Sequence, residues 1–245
     1  MSNFSRRKLI ASGLAAGAGA SGLALAARLA DKYGLIPPDA GGIYGPGETL
    51  TYATQRLFTG NSLVREFPRG EISKNPFANG RPPRDDAFKR FQDGNFADWR
   101  LTIGGMVSRP ASFSLNQLRD LPSISQITHL ACEEGWSFIA EWTGVPLAHV
   151  LKLAGAAPQA RYVVYQSFQR NWFHSIDIAE AFHPQTLVTY GMNGADLPIG
   201  HGGPLRLRVP RQLGYKSVKY LTRLTVTDSL ANFGKVYRYA WYAGI

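Results

Sequence analysis

The residue with the clearest chemical capacity is Cys132, the only cysteine in the 245-residue chain. It follows an apolar stretch, 124–130, that predicts a strand, and it precedes a Gly-Trp turn. Its sulfur is therefore expected at a strand end, facing a cavity built from loops. Thiolates select copper, zinc or iron clusters, but zinc sites usually need several such ligands. A single thiolate predicts a metal already held by an organic cofactor, and the alternative is an inert buried cysteine.

A second segment, 197–227, contains six lysines and arginines and no acidic residue. Arg206 and Arg208 alternate with apolar residues, which predicts a strand with both guanidinium groups on one side. A glycine-rich loop precedes this strand and a Gly-Tyr-Lys-Ser turn follows it. Backbone amides, lysine and serine in such loops form an anion site suited to phosphate. The two segments together indicate a metal on a phosphorylated organic carrier, whereas the alternative for the second is a solvated basic face.

Five motifs between Trp99 and Thr227 carry a resemblance to a known family. They are Cys-x-Glu-x-Trp, Trp-x-Gly-x-Pro-Leu, His-Pro-x-Thr-Leu, His-Gly-x-Pro-x-Arg and Gly-Tyr-Lys-x-Val-Lys. Their order and spacing resemble the sulfite-oxidase-like molybdopterin-dependent oxidoreductases, closest to the exported bacterial branch that includes the periplasmic protein-methionine-sulfoxide reductase catalytic subunit. The resemblance implies an α+β, sulfite-oxidase-type molybdopterin-binding fold with mixed sheets, short helices and many loops. It also implies a molybdenum-molybdopterin cofactor without an added nucleotide.

The resemblance also assigns site residues. It implies that Cys132 is the catalytic residue whose thiolate ligates molybdenum. It implies cofactor contacts at Cys132 and at six further positions, which are Ser167, His201, Arg206, Ser217, Val218 and Lys219. Glu133 and Glu134 flank the ligand and are candidates for a supporting hydrogen bond, and Trp136 is expected to pack against the Cys132 loop.

The sequence departs from the family pattern in two places. The Asn-rich motif that touches the pterin from the N-terminal arm of the reductase is missing, and Asp85 to Phe91 occupies roughly its place. The Asn79-Gly80 turn is expected to supply those contacts instead. Sulfite oxidases also crowd arginines around the metal, whereas Arg170 is the one nearby candidate here. Reduction of a neutral S- or N-oxide is therefore preferred to sulfite oxidation, which remains the alternative.

The chain offers no further redox centre that the sequence reveals. There is no Cys-x-x-Cys-His haem motif and no cysteine cluster for iron–sulfur centres. The predicted enzyme must therefore exchange electrons with a separate partner, either a membrane cytochrome or a soluble periplasmic electron carrier, and a basic surface would favour an acidic partner. The oxide substrate is a small molecule or protein-bound. Nucleic acid is not expected, and the rival class is a non-catalytic periplasmic module that binds anions and contains an inert Cys132.

The N-terminal third of the chain predicts export and an irregular arm. Residues 1–30 place Arg6 and Arg7 before a weakly apolar stretch, which resembles a twin-arginine signal; an uncleaved membrane anchor is the alternative. Either interpretation puts most of the chain in the periplasm. Proline and glycine punctuate 31–85 and predict an irregular arm with one helix over 50–65. Residues 86–245 are the predicted molybdopterin-binding oxidoreductase domain, with strands over 99–106, 124–130, 161–168, 187–192, 205–209 and 221–227, and helices over 143–155 and 176–182.

Overall fold

The computed structural model describes residues 22, 24–30, 35 and 45–233 of the chain. The predicted twin-arginine pair, Arg6 and Arg7, lies outside these residues. Within the described ranges, no helix is long and apolar enough to cross a membrane. Two compact units, Met1–Leu57 and Phe58–Ile245, divide the chain. The predicted boundaries at 30 and 85 stay predictions.

The fold is α+β, as predicted, and its regular elements are short. The helices are α1 Gly45–Thr59, α2 Asp86–Asp93, α3 Leu115–Arg119, α4 Leu147–Ala154 and α5 Ile178–Ala181. The strands are β1 Arg100–Gly105, β2 Ala111–Ser114, β3 Ile124–Ala131, β4 Ser137–Pro146, β5 Tyr162–Ser167, β6 Phe173–Asp177, β7 Leu187–Met192, β8 Ala195–Asp196, β9 Arg206–Arg208 and β10 Leu221–Thr227. Single 3-10 turns occupy Arg69–Glu71, Ile199–His201, Gly214–Lys216 and Ala231–Phe233.

Two five-stranded sheets organise the larger unit. The first has the order β2-β1-β10-β5-β6, in which β1 and β10 are parallel and the other neighbours are antiparallel. The second has the order β3-β4-β7-β8, with β9 paired to β7, and all its pairs are antiparallel. The second sheet therefore brings the end of β3, which precedes Cys132, together with β9, which carries Arg206 and Arg208.

The helix predicted over 143–155 is shorter, because β4 continues through 143–146. Thr143 and Val145 are β-branched and pair with β7, and the helix begins only at Leu147. Gly144 permits this pairing, since a Cβ there would lie 2.3 Å from the carbonyl oxygen of Val188. The remainder of α4 agrees with the prediction. Its buried stripe is Leu147, Val150, Leu151 and Ala154.

The helix predicted over 50–65 is displaced, since α1 ends at Thr59. The following segment instead lies along the edge of the second sheet. Glu66 forms a β-bridge with Thr128, and the backbone of Ser73 donates to the Ile139 carbonyl over 3.0 Å. Strand pairing satisfies the backbone groups of this segment, and a continued helix would have left that sheet edge uncovered.

A small aromatic core supports the second sheet where it approaches Cys132. Leu130, Phe138 and Trp142 are buried on β3 and β4, and Met192 and Leu197 join them from β7 and the loop after β8. Burying large apolar side chains stabilises their strands by about 1.5–3 kcal/mol each relative to exposure. The end of β3 is therefore a rigid platform for the residue that follows it.

Candidate functional site

Cys132 occupies the first position of a tight connection between β3 and β4, as predicted. Its backbone N–H donates to the Trp136 carbonyl over 3.0 Å, and its own carbonyl accepts from the N–H of Gly135 over 3.1 Å. Gly135 has a φ of +90°, a backbone conformation that glycine adopts without steric cost. These bonds fix the direction of the Cys132 side chain relative to the sheet.

The Cys132 loop forms one wall of a cavity of about 300 Å³. Residues 79–81 form a second wall, and the turn and following residues at 214–220 form a third. Arg206, Gln169 and Trp172 complete the lining. The two segments that the sequence singled out are thus brought to one cavity, at which the predicted residues Cys132, Arg206, Ser217, Val218 and Lys219 converge.

The surroundings of the Cys132 sulfur keep it protonated unless a cation binds. The thiol donates a 3.4 Å hydrogen bond to Glu133 Oε2. Burial has the largest effect and raises the pKa of the Cys132 thiol. The hydrogen bond from the Glu134 N–H lowers this pKa, and the carboxylates of Glu133 and Glu134 raise it. A thiolate is therefore unfavourable here unless a positive ion stabilises it, and metal coordination deprotonates a cysteine outright.

Arg206 and Arg208 are buried and Lys219 is half-buried, and the hydrogen bonds that these three cations make to the described residues all go to neutral groups. Arg206 Nε donates to the Ser217 carbonyl over 2.9 Å and Nη1 to the His201 carbonyl over 2.9 Å. Arg208 Nη2 donates to the His129 carbonyl over 2.6 Å, and its Nε has no hydrogen-bond partner. Buried charges are costly without counter-charges, so this cluster is suited to a bound anion.

The pKa values of these cations are lowered, as expected for positive charges that lie close together without an acidic partner in the part of the chain that the structure describes. Burial lowers the pKa of Arg206 to about 10, although the negative charges of Tyr220 and Cys132 act in the opposite direction. Burial, followed by repulsion from Arg206, lowers the pKa of Arg208 to about 9 and that of Lys219 to about 8. An anion placed among them would remove this repulsion. A phosphate at this end and a metal at Cys132 fit the residues present.

Three of the six basic residues of the segment 197–227 are therefore not part of a solvated face. Arg208 and Lys216 have no exposed surface, and 3% of Arg206 is exposed. The hydroxyl of Ser217 accepts from the backbone N–H of Val209 over 3.1 Å, which ties the turn to the end of β9. The same burial withholds these charges from a protein partner. The predicted docking of an acidic partner by a basic surface stays a prediction.

Gly202 allows Lys219 to reach the cavity. It has a φ of +108°, and a Cβ at this position would lie 2.8 Å from the Lys219 Cβ. Any other residue would push the lysine away. The Lys219 ammonium donates to the carbonyls of Asn79 and Gly200.

Two of the predicted cofactor residues do not line the cavity. The Ser167 hydroxyl accepts from the N–H of Gln169 over 3.1 Å and lies at a separate hollow with Arg100 and Arg223. The buried His201 ring packs 5.5 Å from that of Phe138. Burial, then the positive charges of Arg206 and Lys219, lowers its pKa to about 4, so it is a neutral support for Arg206. Direct cofactor contacts by Ser167 and His201 stay predictions.

The structure adds residues that the sequence interpretation did not assign. Arg81 and Trp172 line the cavity, and 51% of Trp172 is exposed. The Asn79-Gly80 turn lines the cavity as well, as expected, whereas Arg170 is not part of the lining. Trp136 packs in the Cys132 loop as predicted, with its ring stacked 6.1 Å from that of Phe138. Trp172 follows Asn171, which has a φ of +58°, and lies two residues after Arg170, the candidate that the sequence analysis had considered.

Behind Trp172, the neutral His174 makes the fold sensitive to acid. Its ring lies 5.3 Å from that of Tyr215, and burial together with the charge of Lys216 lowers its pKa to about 3. An unfolded chain protonates this histidine near pH 6.5, so the stability it contributes is full above that pH and falls as the pH approaches 3. When the pH is lowered from neutral to 5, the free energy of unfolding of His174→Phe should fall by about 2 kcal/mol less than that of the wild type. Urea unfolding at both pH values measures the difference, and equal losses would contradict the assignment.

Comparisons with known proteins agree with this geometry. A family model described as the oxidoreductase molybdopterin-binding domain matches residues 89–232. A candidate protein-methionine-sulfoxide reductase subunit, YedZ1, of Azospira oryzae is 37% identical over 189 residues, which are 77% of this chain and 70% of the relative. The protein-methionine-sulfoxide reductase catalytic subunit MsrP of Xanthomonas axonopodis is 33% identical over 202 residues, 76% of this chain and 62% of the relative.

The chain thus spans less than two thirds of the Xanthomonas relative's length. Among solved structures, the sulfane dehydrogenase SoxCD of Paracoccus pantotrophus matches with a TM-score of 0.52 and 25% identity, over 54% of this chain and 39% of that chain. The family model covers both walls of the cavity that contain Cys132 and Arg206. The chain therefore belongs to the oxidoreductase molybdopterin-binding domain family.

Proposed function

We propose that this protein reduces a neutral sulfoxide, such as free or protein-bound methionine sulfoxide, with a molybdenum-molybdopterin cofactor held in the Cys132 cavity. The observation that carries the proposal is the placement of the one cysteine sulfur on the same cavity as the buried Arg206 and the half-buried Lys219. The names of the Azospira and Xanthomonas relatives support a sulfoxide substrate.

Different residues of the chain would bind the metal and the phosphate end of the cofactor. Cys132 would ligate molybdenum, and Arg206, the Ser217–Lys219 segment and the Gly214–Lys216 turn would hold the phosphate end. When bound, the cofactor supplies two-electron oxygen-atom transfer. The protein fixes the thiolate through the bonds of the 132–136 loop, and it excludes water from the cationic end by burying Arg206 and Arg208.

The cavity mouth favours a neutral substrate over an anion. Glu133 and Glu134 stand beside the sulfur, and their negative charge opposes a sulfite dianion. Trp136 and Trp172 present aromatic surface, which makes favourable contacts with a thioether sulfur. The buried Arg206 and the half-buried Lys219 are assigned to the phosphate of the cofactor.

The reaction needs a separate electron donor. Reduction converts a sulfoxide, two electrons and two protons into a thioether and water, so the oxygen leaves as water. A single metal centre cannot store the electrons for repeated turnovers. The proposed donor is a membrane cytochrome or a soluble periplasmic carrier. The word subunit in the relatives' names supports an assembly with a partner. The periplasmic location is proposed on the basis of the Arg6-Arg7 pair and the weakly apolar stretch that follows it.

A two-direction assay of the purified holoenzyme tests the proposal. With a reduced viologen dye as donor, methionine sulfoxide should be consumed catalytically. With ferricyanide as acceptor, sulfite should give no turnover. Oxidation of sulfite without sulfoxide reduction would contradict the proposed direction and favour sulfur oxidation, the chemistry in the name of the Paracoccus neighbour.

A further inference from the structure

The segment at 77–81 is attached to both ends of the cavity through one residue, Asn79. Its side-chain amide donates to Glu134 Oε2 over 2.9 Å, two residues beyond Cys132. Its backbone carbonyl accepts from Lys219 Nζ over 2.6 Å, at the cationic end. Asn79 thus joins the cysteine loop to the lysine by two hydrogen bonds made from opposite sides of one residue.

The Glu134 end of this link is anchored on packed aromatic rings. Glu134 Oε2 also accepts from Trp136 Nε1 over 2.7 Å. The Trp136 ring stacks on Phe138, with planes within 9°, and lies 5.2 Å from the ring of Phe77 in the same segment. The Asn79 amide therefore binds a carboxylate that is held in place on the second sheet.

The Lys219 end keeps a donor for the cofactor. A lysine ammonium has three N–H donors. The carbonyls of Asn79 and Gly200 accept from Lys219 Nζ over 2.6 and 2.5 Å, which orients the remaining donor. The lysine lines the cavity, so that donor is available to an anion there.

We propose that Asn79 is a positioning residue that fixes the Cys132 loop relative to Lys219 and so slows the release of the cofactor. The inference rests on the proposed function, because it takes the Cys132 cavity as the cofactor site. It also explains how a chain without the Asn-rich arm motif closes this side of the cavity. The link is made by a half-buried side chain and survives only while both hydrogen bonds form.

Cofactor retention in purified holoenzymes tests this role. Molybdenum remaining after timed incubation and desalting gives the release rate. Release from Asn79→Ala and Asn79→Asp should be about threefold to tenfold faster than from the wild type, the factor expected for one lost hydrogen bond of ordinary strength, because this bond is exposed to solvent. The aspartate also adds carboxylate repulsion toward Glu134. Asn116→Ala, an exposed asparagine on α3, is the control and should match the wild type.

A rescue variant separates positioning from general damage. In Asn79→Asp combined with Glu134→Gln, the new amide can donate to the aspartate while still accepting from Trp136, so release should return to within about twofold of the wild type. Wild-type release rates in both Asn79→Ala and Asn79→Asp, or no recovery in the double variant, would overturn the inference. Should Asn79→Asp fail to fold, Asn79→Ala carries the same expectation. A wild type lacking molybdenum would instead overturn the proposed function, and this inference with it.

Discussion

Cys132→Ser should lower sulfoxide reductase activity at least about 100-fold, because even residues that only orient a metal ligand are worth about 10- to 100-fold. The serine hydroxyl is a harder metal ligand than the cysteine thiolate, and it is only weakly acidic. The nearby carboxylates of Glu133 and Glu134 make its deprotonation still less favourable. The measurement is the steady-state rate with methionine sulfoxide and a reduced viologen dye.

The Cys132→Ser substitution should not destabilise the fold. Cys132 belongs to neither buried apolar cluster among the described residues, and its loop is held by backbone bonds that serine keeps. Cofactor-free wild type and Cys132→Ser should therefore unfold within about 0.5 kcal/mol of each other in urea. Alkylation supplies an independent check, since the chain has one thiol. The cofactor-free protein should react with iodoacetamide and the holoenzyme should be protected, whereas a variant with full activity would contradict the ligand assignment.

Arg206→Met should weaken cofactor retention by about 10- to 100-fold, the range expected when a charge-assisted contact of about 1.5–3 kcal/mol is removed. Arg206 is the buried cation that lines the cavity with Cys132, and its charge faces no acidic partner in the contacts described above. Molybdenum content after timed desalting measures the effect. Arg206→Lys should recover only part of it, because lysine keeps the charge and loses the planar set of donors.

Arg223→Met is the matched control for this prediction. Arg223 is an exposed arginine on β10 that lies at a different hollow from Cys132. Its replacement removes the same net charge, so a general electrostatic effect would appear in both variants. Retention should fall only in the Arg206 variant. Equal retention in Arg206→Met and the wild type would show that this guanidinium does not hold the cofactor.

The sequence predicted the site best where the signal was local. A lone cysteine after an apolar strand and a turn closed by Gly-Trp indicated both the position and the exposure of Cys132. Alternation of arginine with leucine identified β9 and grouped Arg206 with Arg208. What alternation could not reveal is that this strand is covered on both faces, so that all three of its residues are buried. Burial on the second face depends on packing between distant segments, which no local pattern reports.

The remaining misses have a common physical origin. The segment 143–146 was predicted to start a helix because proline favours a first helical turn, but its pairing partner, β7, lies more than 40 residues further along the chain. The cofactor contacts assigned by resemblance to Ser167 and His201 stay predictions, since neither residue is in the lining of the Cys132 cavity. Long-range strand pairing decided where the helix begins.

The central claim is that this chain is a molybdenum enzyme, and the most direct test is elemental analysis of the wild-type protein purified from cells that make the cofactor. The account predicts about one molybdenum per chain, together with a pterin released on denaturation. A folded wild type without molybdenum would contradict it, and would leave the buried cations of Arg206 and Arg208 as the site of some other anion.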